Sequence, residues 1–173
     1  MRSRHTRLRA GHTRAMTDLC TVRPAGVGDL VAVLGVHARR DDAGGTTAPP
    51  TGRQRATWDR IVATADLTVY LAERGGEAVG TASALLMPNL GYDCAPTLFV
   101  EAVVVASGHR RRGVATALLR RALADAAAAG ADKVQVVSNK RHATDGAHAL
   151  YIGLGFTAEA EGFRLYLRGR GPG

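Results

Sequence analysis

The chain has 173 residues, 46% of them hydrophobic, and a formal net charge of +8. This length and apolar content suit one ordinary domain with its own core and exclude a chain that is disordered throughout. No apolar run approaches the roughly 20 residues that a membrane helix needs, so we expect a soluble protein without a membrane partner.

The positive charge is concentrated at the N-terminus. Residues 1–15 contain five arginines and no acidic residue, and without those five charges the rest of the chain carries +3. This segment has no periodic apolar pattern and no stretch typical of a secretion signal, so residues 1–17 are predicted to form a disordered basic arm. A role for the arm in nucleic-acid binding stays open, but an upstream start codon, with Met16 as a second start, is the favoured interpretation.

The cysteines and histidines give no sign of a metal site. Cys20 and Cys94 lie far apart in the sequence, and the histidines of the second half have no metal-ligand spacing. Such sparse cysteine use is typical of a reducing compartment, so we expect a cytoplasmic protein that binds no metal.

Hydrophobic spacing and turn residues predict the elements of the first half of the chain. Asp29 is predicted to cap the first helix, and Gly75-Gly76 is a hairpin signal between two strands. The predicted elements are a strand at Cys20–Arg23, helices at 29–39 and Arg53–Ala65, and strands at Thr68–Glu73 and Ala78–Met87.

The second half begins with an apolar, β-branched strand at Leu98–Val105, and its near-continuous hydrophobicity indicates burial on both faces. Glu101 lies inside this strand, where a charge needs a partner or a function. A helix over Gly113–Ala129, with Gly130 as its stop, leads to a buried strand at Lys133–Val137. The remaining predicted elements are a helix at Asp145–Gly153 and strands at Thr157–Ala160 and Arg164–Leu167.

This order of elements predicts a mixed α/β fold. We expect a single domain over residues 18–168, with a mixed sheet of six or seven strands flanked by about four helices. A central β-α-β unit supplies one parallel crossover. Residues 169–173 are predicted to form a flexible tail.

The most informative segment connects the strand that holds Glu101 to the following helix. Three consecutive arginines, Arg110 to Arg112, precede Gly113, which opens the helix. Free backbone N–H groups and the positive end of the helix dipole form an anion site, and glycine lets a phosphate approach the backbone. A Walker loop would need Lys and then Ser or Thr after Gly113, but Val114 and Ala115 follow, so an ATP site is disfavoured.

Three motifs in this half resemble those of the GNAT acetyltransferase superfamily. Arg110-x-x-Gly113-x-Ala115 resembles the Q/R-x-x-G-x-G/A motif of that family, and the strand with Glu101 resembles its fourth strand. The segment from Ala147 to Phe156 resembles its A-x-x-L/F-Y-x-x-L-G-F signature. The resemblance is strong over residues 99–156, and the three pieces follow the order of the family.

The resemblance implies a role for each part of this segment. Backbone groups of the fourth strand would pair with the pantetheine arm of acetyl-CoA, loop amides would hold the pyrophosphate, and residues after the fifth strand would line the same cleft. Tyr151 would protonate the departing thiolate. The implied donor-binding residues are Val103, Val104, Val105, Arg110, Arg111, Arg112, Gly113, Val114, Ala115, Thr116, Ser138, Asn139 and Tyr151. Many family members have Asn where this chain has Thr144, and Asn139 is a candidate substitute.

Glu101 is the leading candidate for the general base, acting directly or through a water. Its position on a buried strand predicts partial burial, which disfavours the charged form of a carboxyl group and suits it to accept a proton. A structural ion pair with an arginine is the alternative for Glu101. For Arg110, the alternative role is to brace the loop without contacting phosphate.

These observations predict an N-acetyltransferase that moves an acetyl group from acetyl-CoA directly to a primary amine of a small molecule or peptide. The alternative is a regulatory protein that binds acyl-CoA without catalysis. The resemblance allows a homodimer, and a nucleic-acid partner is disfavoured. The sequence does not identify the amine acceptor.

Overall fold

A computed structural model describes residues 20–41, 48–143 and 146–167 of the chain. They fall into two compact units, with residues up to Val136 in the first and residues from Val137 in the second. The predicted basic arm at 1–17 and the tail at 169–173 lie outside the described residues, as do Thr144 and Asp145.

The first unit contains a five-stranded sheet in which the strands lie side by side in chain order. The first three neighbouring pairs are antiparallel and the last pair is parallel. The strands are β1 at Cys20–Pro24, β2 at Leu67–Arg74, β3 at Glu77–Met87, β4 at Thr97–Val105 and β5 at Lys133–Val136. The predicted mixed sheet with one parallel crossover is therefore confirmed, and each of these strands lies within a few residues of its prediction.

Four α-helices are present among the described residues, as predicted. The first three belong to the first unit, and the fourth belongs to the second unit. The helices are α1 at Leu30–Ala38, α2 at Gly52–Ala63, α3 at Val114–Ala128 and α4 at Ala147–Gly153.

Local sequence signals set several of these boundaries. Gly75 and Gly76 both have positive φ, as a tight β-hairpin turn of type I′ requires. At the start of α2, the Thr51 hydroxyl accepts a hydrogen bond from the Gln54 amide at 3.2 Å, and the Gln54 side chain accepts one from the Thr51 amide at 2.8 Å. This reciprocal capping box satisfies two backbone donors that the helix leaves unpaired.

Helices α1 and α2 pack on one side of the sheet around a buried apolar cluster. Its members come from α1, α2, β2 and β4, and burial of such surface is the main favourable contribution to folding. Trp58, which is 4% exposed, belongs to this cluster and donates its indole N–H to the Val27 carbonyl oxygen at 3.0 Å. The cluster consists of Val33, Val36, Trp58, Val69, Leu71 and Val104.

Helix α3 packs on the opposite side of the sheet and is fixed there by polar contacts. The Tyr70 hydroxyl donates to the Asp125 carboxylate at 2.8 Å, and Arg121 donates to the Val22 carbonyl oxygen at 3.2 Å. Burial and the neighbouring Asp125 raise the pKa of Tyr70, so the phenol stays protonated and keeps this hydrogen bond. The helix that follows the arginine loop is therefore held in a defined position on the sheet.

Gly80 allows the first turn of α3 to approach β3 closely. A Cβ atom at this position would lie 2.6 Å from Val114 Cγ1 and 3.3 Å from the Val104 carbonyl oxygen. We expect Gly80→Ala to lower the free energy of unfolding by about 1–3 kcal/mol, because overpacking forces the neighbours to move. Denaturant unfolding of the purified variant measures this change.

The matched control for Gly80 is Gly52→Ala, since a Cβ atom at Gly52 would meet nothing within 4 Å. That variant should be no less stable than the wild type, because alanine is the better helix former. Equal stability of Gly80→Ala and the wild type would contradict the close-packing argument.

Asp29 does not cap α1 through its side chain, contrary to the sequence-based prediction. Its carboxylate instead accepts from the Gly26 amide at 2.7 Å and from the Arg23 guanidinium at 2.7 and 2.9 Å. The contacts with Arg23 and Gly26 lower the pKa of Asp29 to about 2. These contacts close a 3-10 turn at Val27–Asp29 that precedes α1. A sequence pattern cannot distinguish a helix cap from a carboxylate that closes such a turn.

The lowered pKa of Asp29 predicts a pH-dependent contribution to stability. The contribution is present above about pH 4, where the carboxylate is charged even in the unfolded chain, and it is lost as the pH falls toward 2. We expect Asp29→Asn to lower the free energy of unfolding by about 1 kcal/mol at pH 7, since the pair is partly screened by solvent. Denaturant unfolding at pH 7 and pH 3 should show this difference shrinking, and a constant difference would contradict the assignment.

The second unit contains α4, a 3-10 turn at Lys140–Ala143 and an irregular segment at its end. The strands predicted at Thr157–Ala160 and Arg164–Leu167 are wrong, because residues 156–166 form no strand. The sheet of the described residues thus has five strands rather than six or seven. Alternating apolar residues show which side chains could share a face, but a strand also needs a neighbour to pair with, and Phe163, Leu165 and Leu167 remain more than four-fifths exposed.

Candidate functional site

The loop between β4 and α3 has two residues in the left-handed backbone region. Arg111 has a φ of 60° and Gly113 has a φ of 79°. A left-handed conformation is ordinary for glycine but costs a residue such as arginine about 1–2 kcal/mol. Arg110, directly before Arg111, is extended, with φ of −63° and ψ of 155°, so the chain changes direction at Arg111 and again at Gly113.

The backbone amides at the start of α3 lie ahead of the first hydrogen bond of the helix. The Ala117 amide makes that bond, to the Gly113 carbonyl oxygen at 2.9 Å. The amides of Val114, Ala115 and Thr116 therefore have no acceptor within the helix. A Cβ atom at Gly113 would meet nothing within 4 Å, so the space before these amides is open. The anion site at this loop stays a prediction, and these amides are the donors that it would use.

The three arginines of this loop have different positions. Arg110 donates its guanidinium to the Arg40 carbonyl oxygen, and its amide donates to the Ser107 carbonyl oxygen at 3.2 Å. This geometry supports the bracing alternative for Arg110 rather than contact with phosphate. Arg111 and Arg112 are exposed, and no ion pair in the described part of the chain includes either of them.

The end of α1 anchors the loop, and sequence reasoning did not identify this contact. The Ser107 amide donates to the Arg39 carbonyl oxygen at 2.9 Å. Arg39 also donates to the Ala78 carbonyl oxygen at 2.6 Å and forms an ion pair with Glu77. No motif marks these residues, because the partners are about 40 to 70 positions apart in the sequence and most of the acceptors are backbone carbonyls.

Strand β4 extends beyond its pairing with β5. The two strands pair from Thr97 with Lys133 to Val100 with Val136, and β4 continues for five more residues to Val105. In this last part β4 pairs only with β3 among the strands of the sheet. The edge that carries Val103, Val104 and Val105 therefore has main-chain groups that an extended ligand could pair with.

A β-bulge interrupts β4 directly after Glu101. Glu101 pairs with Ser83 and Val104 pairs with Thr81, so β4 has one more residue in this interval than β3. Ala102 adopts a φ of 50° within the bulge. The extra residue places Glu101 and Val104 on the same face of the sheet, the face covered by α1 and α2, although their spacing would otherwise put them on opposite faces.

Glu101 is exposed, so the predicted partial burial is wrong. The register explains this exposure, because Val69, Ser83 and Glu101 lie side by side on three neighbouring strands. Helices α1 and α2 cover Val69 but do not reach Glu101. None of the ion pairs among the described residues includes Glu101, which removes support for the structural alternative. The carboxylate faces solvent on the side of β4 that leads into the arginine loop.

The other predicted site residues belong to the second unit. Ser138 and Asn139 are half-buried, and the Asn139 carbonyl oxygen accepts from the His142 amide at 2.9 Å. Tyr151 lies on α4 and is also half-buried. Its ring meets Phe156 edge to face, with 5.8 Å between the centroids and 72° between the planes. The A-x-x-L/F-Y-x-x-L-G-F pattern thus forms a helix whose tyrosine packs on the closing phenylalanine.

No group of three or more His, Cys, Asp and Glu side chains in the described part of the chain could hold a metal ion. None of the helices described above has the length and apolar character needed to cross a membrane.

Comparisons with known proteins give one matching family and several similar structures. The family model described as "Acetyltransferase (GNAT) family" matches residues 34–156. A putative acetyltransferase from Agrobacterium tumefaciens str. C58 is 29% identical, with a TM-score of 0.75 over 84% of this chain and 99% of that chain. A transcriptional regulator from Bacillus halodurans C-125 is 25% identical, with a TM-score of 0.75 over 86% and 99%.

An aminoglycoside acetyltransferase from an uncultured soil metagenomic sample is 26% identical, with a TM-score of 0.67 over 86% of this chain and 99% of that chain. No curated protein sequence matches the chain.

Proposed function

Because the chain belongs to the GNAT acetyltransferase family, with acyl-CoA as co-substrate, we propose that it transfers an acetyl group from acetyl-CoA directly to a primary amine of a small molecule or peptide. The observation that carries this proposal is the combination of the extended β4 edge with the arginine loop that follows it. An extended edge suits a pantetheine chain, and the open amides at the start of α3 suit a pyrophosphate.

The donor would bind along the path from β4 to α3. Main-chain groups of Val103 and Val105 would pair with the pantetheine amides, and amides from Arg111 to Thr116 would hold the pyrophosphate. Arg112 would add positive charge near the phosphates from its exposed position. We assign Arg110 a bracing role, since its guanidinium and its amide both have protein acceptors.

Glu101 would act as the general base for the acceptor. An alkylammonium is mostly charged at neutral pH, so it must lose a proton before its nitrogen can attack the thioester carbonyl. The C–N bond then forms and the C–S bond breaks, while the thiolate of coenzyme A receives a proton. Tyr151 is the proposed donor of that proton, by resemblance to the family, and Ser138 and Asn139 are proposed to contact the donor.

The alternative is a regulatory protein that binds acyl-CoA and does not catalyse transfer. The similar structure from Bacillus halodurans C-125 belongs to a protein described as a transcriptional regulator, which is the specific reason to keep this alternative. A homodimer, a cytoplasmic location and a basic N-terminal arm without a nucleic-acid partner stay predictions.

A thiol-release assay with acetyl-CoA and a panel of primary amines, run beside calorimetric titration with coenzyme A, tests the proposal. Amine-dependent thiol release together with coenzyme A binding is the expected result. Tight coenzyme A binding without release with any amine would favour the regulator. No coenzyme A binding would contradict both proposals.

A further inference from the structure

One face of β3 and β4 carries an open apolar strip beside Glu101. Strand register places the pairs Ser83–Glu101, Leu85–Phe99 and Met87–Thr97 on this face, one after the other. Leu85 is 41% exposed and Met87 is 39% exposed, although both are large apolar side chains within a strand. We call Ser83, Leu85, Met87, Phe99 and Glu101 the β3–β4 strip.

The helices on this face explain why the strip stays open. The cluster beneath α1 and α2 includes Val69 and Leu71 of β2 and Val104 of β4, but no member of the strip. The cover provided by α1 and α2 therefore ends beside Val104, and the bulge at Ala102 separates it from Glu101. At the far end of the strip Thr97 is buried again, with 2% of its surface exposed. Apolar strand residues left open next to a proposed reaction centre are typical of a ligand surface.

The strip combines a single negative charge with neutral side chains. Glu101 has no ion-pair partner among the described residues, so its carboxylate can accept an ammonium group. The pair Leu85–Phe99 follows two residues along each strand, about 7 Å away from Glu101. An ammonium group held by Glu101 would therefore place a substituent at the end of a short linker against Leu85 and Phe99.

We propose that the acceptor of this site is a primary monoamine with an aromatic or branched aliphatic group on a short linker. This inference rests on the proposed acetyltransferase function and specifies its substrate class. A polycationic acceptor fits less well, because its further ammonium groups would meet neutral side chains on the strip and lose hydration without a partner. The +3 charge of the chain outside residues 1–15 also disfavours a polycation.

Matched amines provide the test of this substrate class. Steady-state thiol release with acetyl-CoA would compare phenylethylamine with ethanolamine, which has the same charge but a polar end, and with spermidine and kanamycin as polycations. We expect kcat/KM for phenylethylamine to exceed each of the others by about tenfold or more. A higher kcat/KM for ethanolamine or for a polycation would overturn the substrate class and leave the acetyltransferase proposal intact.

Variants of Leu85 localise the preference. Leu85→Gln should reduce the advantage of phenylethylamine over ethanolamine by about tenfold, and Leu85→Met should retain it because methionine keeps an apolar contact. Val31→Gln changes an apolar residue of α1 that is 56% exposed and should leave the preference unaltered. An unaltered preference in Leu85→Gln would overturn the assignment of the strip, whereas no thiol release with any amine would overturn the proposed function and this inference together.

Discussion

Glu101→Gln is expected to lower the turnover number by about 10²–10⁴-fold, the range that a positioned general base contributes. The affinity for acetyl-CoA should stay within about twofold of the wild type, because the change keeps the main chain of β4 and the size of the side chain. Thiol-release kinetics measure the first quantity, and calorimetric titration with acetyl-CoA measures the second.

Glu73→Gln is the matched control for Glu101. Glu73 is a carboxylate on β2 that pairs with Arg23 at 2.7 Å, so the control removes a sheet carboxylate outside the proposed site. It should keep nearly full activity, since exposed ion pairs contribute little to stability. Wild-type turnover of Glu101→Gln at every pH would contradict the base assignment, and a matching loss in both variants would show a general effect of charge.

Gly113→Ala is expected to weaken acetyl-CoA binding by roughly 5- to 30-fold. Residue 113 has a φ of 79°, a left-handed conformation that is about 1–2 kcal/mol less favourable for alanine than for glycine. Alanine would shift the loop away from this conformation, and acetyl-CoA binding would have to restore it, which lowers the affinity by roughly 5- to 30-fold. A Cβ atom there would meet open space in the protein, so the effect would come from the backbone and from the approach of the ligand. Calorimetric titration with acetyl-CoA and with coenzyme A measures the affinity.

Gly108→Ala makes the same chemical change five residues earlier in the same connection. Gly108 lies in a 3-10 turn at Ser107–His109, has no positive φ, and has space for a Cβ atom. The control should bind acetyl-CoA about as tightly as the wild type. Equal affinity of Gly113→Ala and Gly108→Ala for acetyl-CoA would contradict a pyrophosphate site at the start of α3.

Elements with strong local signals could be predicted from the sequence. The Gly75-Gly76 turn has the positive φ values that its hairpin needs, and Gly130, with a φ of 68°, ends α3 as predicted. After Gly130, the Ala131 amide donates to the Ala126 carbonyl oxygen at 3.0 Å, which completes a Schellman motif. These features depend on residues that are near one another in the chain, so the sequence contains the information directly.

Features that depend on distant partners could not be predicted. The exposure of Glu101 follows from a bulge that becomes visible only when β3 and β4 are aligned. The bracing of Arg110 on the Arg40 carbonyl oxygen involves a backbone acceptor 70 positions away. The wrong strands at 157–160 and 164–167 have the same cause, because alternating side chains do not reveal whether a pairing strand is available.

The left-handed backbone at Arg111 has a consequence for the kinetics of donor binding. The Ser107 amide and the Arg110 guanidinium hold this loop on the end of α1 through contacts within the protein, so the loop is ordered when the chain folds and not when the donor binds. Acetyl-CoA should therefore bind in a single concentration-dependent phase, without a slow step that limits the observed rate at saturation. Arg111→Gly would relieve the strain of the left-handed backbone and stabilise the fold. Glycine would also make the loop more mobile and so weaken donor binding. Stability and donor affinity would therefore change in opposite directions.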